Sequence, residues 1–418
     1  MSIVTLSKVM SAFTKMTKYA KAEKSTHRQS VRMHWIGERC RLTLSNMLGE
    51  IHAEIPLEDE IYLHDDIEAV ITFDALKVLF SGQEAVFKRS KTVPVPTWSL
   101  LDGSISFSSD TGNISIDLLP LSEFTENRFR GTAVANESHD AVAYNRLPEG
   151  LPKAIHAALP FAAKDTGRSA LNSVFVGIEG SVVATDGHRL CVSSIGDSHL
   201  LEAILIPRNP LDAICGFRLD RLISSGEARS CLRASVYGNL SISFLGQNWS
   251  AEIPYYEDGT DRGEFPKWEQ VVPSTSEAKA QTGFSVQDIV GISKEIKGLH
   301  ESIKESCKAA GKDANGRWIE TPPSFKGHPL RLSSNGGPLH WEYRVESMKI
   351  SGDIGEVQNQ VGEFLLGVNF EYLLDAAKYI HSDPVVMLTK DSLSPILFCT
   401  EDSASVERMC VVMPLRLA

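Results

Sequence analysis

A carboxylate and an imidazole two residues apart, Asp186 and His188, stand in the stretch Val183-Ala184-Thr185-Asp186-Gly187-His188-Arg189-Leu190 near the middle of the chain. Such a pair can work as general base and general acid. A hydrolase or nuclease built on it needs a third group to orient the imidazole or attack the substrate, and no residue nearby declares itself as that group. The same residues flank Asp-Gly, a dipeptide suited to tight hairpins because Gly reaches positive φ without steric cost. Turn chemistry is the stronger reading of the pair. Seven cysteines (Cys40, Cys191, Cys215, Cys231, Cys307, Cys399, Cys410) are scattered with no CxxC among them. They read as reduced, mostly buried thiols rather than a zinc site, and neither metal nor cofactor is expected.

The elements that must hold this stretch are short strands. Ser173 to Gly180, Ser181 to Asp186 and His188 to Val192 are β-rich runs broken by Glu179-Gly180 and Asp186-Gly187, which predicts a three-stranded meander. Before it, Leu151 to Ala163 reads as a helix; after it, Ile206 to Ile214 leads into another. Towards the N-terminus, Val9, Met10, Phe13, Met16, Tyr19 and Ala20 recur at helical spacing over residues 7 to 24, with lysines on the other side. Strands follow to Ile61, then a helix at about Asp74 to Phe80, then strands through Ser104–Phe107 and Asn113–Asp117. A longer helix, Phe284 to Ala309, and a shorter one, Asn369 to Ala377, belong to the last third, which ends in Val411-Val412-Met413-Pro414-Leu415-Arg416-Leu417.

This order of helix, strands, helix, strands occurs three times. Entries to the second helices at Ile71, Ile206 and Val368 lie about 135 and about 162 residues apart, and the apolar-Pro closures at Pro120, Pro254 and Pro414 keep nearly the same intervals. Three tandem α+β units result, with boundaries at 1–134, 147–275 and 281–418. The longer last interval is accounted for by Gly311 to Ser334, rich in Gly, Pro and Lys, which reads as an exposed loop. Linkers are expected near 133–148 and 274–282.

Charged residues make up 23% and hydrophobic residues 42% of the 418-residue chain, values ordinary for a soluble protein. No window approaches the roughly 20 apolar residues of a membrane span, and the lysine-bearing N-terminus lacks the apolar core of a secretory signal. A cytoplasmic protein without membrane contact is expected. The net charge of −11 argues against nucleic acid on its face, yet residues 1 to 32 carry Lys8, Lys15, Lys18, Lys21, Lys24, Arg28 and Arg32 against one Glu23. An acidic protein with a basic stripe can repel DNA over most of its surface and accept it on one side.

Val-Ala-Thr-Asp-Gly-His-Arg-Leu in the second of three units, together with the C-terminal Val-Val-Met-Pro-Leu-Arg-Leu, resembles the bacterial DNA polymerase III beta subunit family, the beta sliding clamps. Ala170-Leu171-Asn172, Ile206-Pro207-Arg208, Glu264-Phe265-Pro266, Val271-Val272-Pro273 and Asn369 with Tyr372–Asp375 extend the likeness, which is firm over about 150–275 and 364–418. The resemblance implies three DNA-clamp domains, each with two helices and antiparallel sheets, in a non-catalytic processivity factor that closes head to tail as a homodimer around double-stranded DNA. Lys15, Lys18, Lys21, Lys164, Arg168, Lys294 and Lys297 would then face phosphates without reading sequence. Ile114 and Ile116 would meet the other subunit. The resemblance also implies a groove that takes short linear motifs of a DNA polymerase, a clamp loader and other replication or repair proteins. It would be built from Leu171, Thr185, Gly187, His188, Arg189, Leu190, Pro266, Val271, Asn369, Tyr372, Val411, Met413, Pro414, Leu415 and Arg416. Gln270 and Pro395 stand where the family usually has Arg and Ser, and the first domain diverges. The alternative function is a clamp-fold partner-binding module or decoy that does not close a ring.

Overall fold

The computed structural model describes residues 10–18, 29–36, 39–46, 48–56, 67–78, 97–101, 103–109, 112–124, 145–148, 150–165, 167–198, 200–214, 229–234, 240–245, 249–309, 311, 328–335, 338–354, 358–361, 363–400 and 408–417. Two compact units emerge: Met1–Leu159 with Asp197–Arg262, and Pro160–Gly196 with Gly263–Ala418. The division passes through the middle of the chain because its strands pair in two directions, some with N-terminal strands and others with C-terminal ones.

In the first unit, eight antiparallel strands run in the spatial order Ile67–Thr72, Ser30–Ile36, Arg39–Asn46, Gly49–Pro56, Trp249–Pro254, Leu240–Leu245, Arg229–Ala234, Asn145–Arg146. Period-2 alternation sends Val31, Leu42, Leu44, Ile51 and Ala53 into a core from which water is excluded. Residues 10–18 form a helix whose Phe13 and Met16 are buried while Lys18 is exposed. The Phe13 ring meets Phe73, on the helix over residues 73–78, edge-on at 6.4 Å. A separate three-stranded sheet, Thr97–Leu101, Ser104–Ser109 and Gly112–Asp117, has Gly112–Asp117 at one edge.

The second unit holds the predicted meander. Ser173–Val176, Ser181–Thr185 and Arg189–Ser194 pair antiparallel, and the sheet continues through Arg408–Val412, Ile396–Cys399, Val385–Thr389, Ala280–Phe284 and Gln358–Val361. A four-stranded sheet is ordered Met348–Ile354, Leu339–Val345, Leu330–Asn335, Glu363–Val368. Helix Val286–Ala309 turns Ile289, Ile292, Ile296 and Ile303 inward, while Lys294 and Lys297 are exposed. Helix Phe370–Ile380 is capped by Asn369, whose side-chain oxygen accepts from the Glu371 amide at 2.9 Å.

Several boundaries differ from the sequence reading for identifiable reasons. The helix expected over Leu151–Ala163 is α-helical only over Leu151–Ala158 and tightens to a 3-10 turn at Leu159–Phe161, where Pro160 has no N–H to donate. Phe284 closes a strand instead of opening the long helix, and the helix entrance is Ser285, whose hydroxyl accepts from the Asp288 amide at 3.1 Å. Within the supposed loop Gly311–Ser334, Leu330–Asn335 is a strand, its Leu330, Leu332 and Ser334 buried in alternation. The expected linker 274–282 likewise ends in strand Ala280–Phe284. Residues 7–9, 19–24, 79–80 and 133–144 from the expected helices and linker, and 312–327 from the expected loop, lie outside the described residues.

The amphipathic long helix makes a direct prediction. Replacing fully buried Ile296 with Ala removes core contacts and leaves a cavity, costing about 2–5 kcal/mol. Lys297→Ala, on the exposed face, changes stability by less than about 0.5 kcal/mol. Equal shifts of the two denaturation midpoints would contradict this packing.

Candidate functional site

All fifteen expected groove residues fall in the second unit, which also holds the Asp186-Gly187 turn. Gly187 has φ +88, the conformation its lack of a side chain permits. Thr185 and Asp186 build the turn from their side chains. The Thr185 hydroxyl donates to the Arg189 carbonyl at 2.7 Å and accepts from the Gly187 amide at 3.1 Å. Asp186 Oδ1 accepts from the His188 and Arg189 amides at 3.0 and 3.1 Å. The carboxylate suspected of base chemistry is thus a turn cap.

Its second oxygen holds Arg189. Asp186 Oδ2 accepts from Arg189 Nε at 3.0 Å, Asp375 accepts from Nη1, and the Pro160 carbonyl accepts from Nη2 at 2.9 Å. The guanidinium also lies over two rings, 4.5 Å from the Tyr372 centroid and 5.0 Å from that of Phe161. Burial works against its charge, but the hydrogen bond to Asp375 and the field of Asp186 outweigh burial and raise its pKa. Burial and the nearby Asp186 also push the Tyr372 hydroxyl up. A lysine could not reproduce this three-way fork.

His188 is exposed, and its ring lies parallel to Tyr372 at 6.5 Å between centroids, while its carbonyl accepts from the Met413 amide at 2.9 Å. Strand Arg189–Ser194 pairs with Arg408–Val412, placing Leu190 opposite Val411, both buried. Beyond that pair the chain end runs along Glu363–Val368, where the Leu415 amide donates to the Gly367 carbonyl at 2.8 Å. A Cβ on Gly367 would stand 2.6 Å from the Leu415 carbonyl oxygen, so glycine is required for the tail to lie this close.

Met413 and Val271 are exposed apolar residues, at 41% and 50%. Pro266, exposed, follows Phe265, whose ring stacks on Phe175 at 4.9 Å and fixes that loop to the meander. Leu171 is half-buried in a loop pinned by the Ala163 amide on its carbonyl at 2.8 Å and by Asn172 Nδ2 on the Ala163 carbonyl at 2.7 Å. Pro414 and Leu415 are half-buried and Arg416 exposed; beside Arg416 opens a cavity of about 680 Å³ lined also by Leu365, Leu393, Leu417 and Lys279. Gln270 is exposed and Pro395 half-buried.

Two protein sequences illustrate what the chain is similar to. It is 26% identical over 277 residues, 65% of each chain, to the beta sliding clamp of Escherichia coli (strain K12). It is 23% identical over 381 residues, 87% of this chain and 93% of the other, to that of Haemophilus influenzae. No family model matches. Among solved structures, a DnaN sliding clamp from Pseudomonas aeruginosa bound to griselimycin superposes with a TM-score of 0.65 at 19% identity, over 93% of this chain and 92% of that one. The DNA polymerase III beta subunit of Thermotoga maritima does so with a TM-score of 0.65 at 18% identity, over 98% of both chains. In sequence and in fold the chain is similar to the bacterial beta sliding clamps. The match with the Escherichia coli relative spans about two thirds, 65%, of that protein's length.

Within this clamp fold, the basic residues expected to face DNA fall in both units. Lys18, Lys164, Arg168, Lys294 and Lys297 are exposed. Lys15 is half-buried, its ammonium donating to the Asp212 carbonyl at 3.0 Å. The Arg168 guanidinium comes within 3.6 Å of where a Cβ on Gly187 would be, so it borders the turn. Lys21 lies outside the described residues. Of the two expected interface residues on Gly112–Asp117, Ile116 is half-buried. Sequence reasoning missed Asp375, Phe161 and the Pro160 carbonyl as the partners of Arg189. The first had a signal: Tyr372 and Asp375, three apart on a helix, share a face.

Arg189→Ala strands two carboxylates and two rings and is expected to destabilise the second unit by about 2–4 kcal/mol. Arg189→Lys recovers only part of that loss. A denaturation midpoint for either variant within error of the parent would contradict the arrangement.

Proposed function

We propose that the chain is a sliding clamp, a non-catalytic processivity factor that encircles duplex DNA as a head-to-tail dimer and tethers a replicative polymerase. The observation that carries this reading is edge-to-edge strand pairing between the stretches taken as domains 1–134, 147–275 and 281–418. Gly49–Pro56 of the first pairs with Trp249–Pro254 of the second, and Arg189–Ser194 of the second pairs with Arg408–Val412 of the third. Tandem domains joined this way carry one sheet from each domain to the next, as the outer wall of a ring requires. Gly112–Asp117 bonds on one side only among the described residues, which leaves an edge able to meet a second copy through Ile114 and Ile116.

Lys18, Lys164, Arg168, Lys294 and Lys297, with Lys15 and Lys21, would line the opening. Their contacts with phosphates are independent of sequence and weaken steeply with salt. Weak contacts suit sliding, because a closed ring retains DNA by topology. The exposed Val271 and Met413, with His188 and Tyr372 at the rim, suit a short partner motif that inserts a few apolar side chains, and Met adapts to several of them. Polymerase, clamp loader and other replication or repair proteins would share this groove. Among the described residues no helix is long and apolar enough to cross a membrane.

Native mass measurement at micromolar concentration tests the reading: twice the 45.9 kDa chain mass is expected, and a monomer would instead favour a partner-binding module without a ring. Removing Met413 to Ala418 is expected to abolish binding of the polymerase catalytic subunit while the protein still measures as a dimer of the shortened chain.

A further inference from the structure

Cys191 and Cys410 face one another across the strand pair beneath the candidate groove. Hydrogen bonding fixes the phase of that pair. The Met413 amide donates to the His188 carbonyl at 2.9 Å, and the Arg189 carbonyl instead accepts from the amide of Asp186, in the turn that follows the neighbouring strand. In an antiparallel ladder bonded and non-bonded pairs alternate. With His188 and Met413 bonded, Leu190 and Val411 are bonded as well, and Cys191 with Cys410 falls on a non-bonded position. There the Cα atoms approach to about 4.5 Å and the side chains leave the same face of the sheet. That separation lies at the short end of the ~4.4–6.8 Å range that a disulfide spans. Both residues are fully buried and neither belongs to the groove surface.

We propose that Cys191 and Cys410 are a site of reversible oxidation, closing a cross-strand disulfide that staples the base of the groove. The chemistry needs a two-electron oxidant small enough to enter when the strands breathe, and hydrogen peroxide is the natural class. One sulfur, as thiolate, attacks a peroxide oxygen; the O–O bond breaks, giving a sulfenic acid and a first water. The second sulfur attacks the sulfenic sulfur, its proton leaves with the hydroxyl as a second water, and the S–S bond forms. Two thiols are thereby oxidised and one peroxide reduced to two waters. Burial pushes both thiols up, Cys191 to about 12, so little thiolate is present at neutral pH and the reaction is slow. Once closed, the bond holds Leu190 against Val411 and fixes the register on which Met413 and His188 depend.

The full-length protein, treated natively with hydrogen peroxide, quenched with catalase and alkylated in denaturant, is digested without reduction and read by mass spectrometry. A peptide pair linked through Cys191 and Cys410, two hydrogens lighter than the separate thiols and released by dithiothreitol, is expected, with a raised melting midpoint. In Cys410→Ala, Cys191 is expected to accumulate as a sulfenic acid that dimedone traps. The proposal is overturned if both cysteines remain alkylatable in the treated protein, or if either is carried to sulfinic acid with no linked pair. A link to Cys399 instead would overturn it equally.

Discussion

The arrangement depends on one strand seam, Arg189–Ser194 against Arg408–Val412, formed by segments far apart in the chain. His188, Leu190, Val411 and Met413 of the candidate groove are placed by it. His188 bonds the first residue past the seam, Met413, and the tail beyond reaches Gly367. Arg189 holds the near end in place: a single guanidinium gathers the turn through Asp186, the helix Phe370–Ile380 through Asp375, and the Pro160 carbonyl. A charge with fewer acceptors would be costly at this burial; with these three and two aromatic faces it becomes a fastener.

The hairpin that supplies one side of the seam was legible because its signals are local. Asp-Gly between alternating apolar runs specifies a hairpin, and the structure contains that hairpin with Gly187 at positive φ. The same locality explains the misreadings. Phe284 fits an apolar helix stripe as well as it fits a strand, and only pairing with Val385, a hundred residues away in sequence, decides in favour of the strand. Leu330–Asn335 was hidden by the polar residues around it. Asp186 and His188 looked like an acid-base pair because sequence gives proximity without direction; in three dimensions the carboxylate faces backbone amides and the imidazole faces Tyr372. The groove positions came from resemblance, since Met413 and Val271 alone would pass for ordinary apolar residues. Asp375 escaped because the partner of a buried cation is fixed by tertiary packing.

Charge carries a second lesson. A chain with net charge −11 is an unpromising binder of DNA by composition, but composition averages over surfaces that never meet the ligand. Helix periodicity resolves the average, separating Lys294 and Lys297 from the isoleucines on the opposite face of the same helix. In the proposed ring these cations need supply only loose attraction, because enclosure supplies the residence time. Lys15, already bonded to the Asp212 carbonyl, would contribute less to that attraction than Lys18.

Enclosure is the central claim, and it has a direct measurement. The protein is assembled on nicked circular DNA with a clamp loader, and the circle is then cut once. Rapid release through the free ends, with stable retention on the uncut circle, is the result the account predicts. Equal retention on linear and circular DNA would contradict it, because binding would then rest on contacts alone.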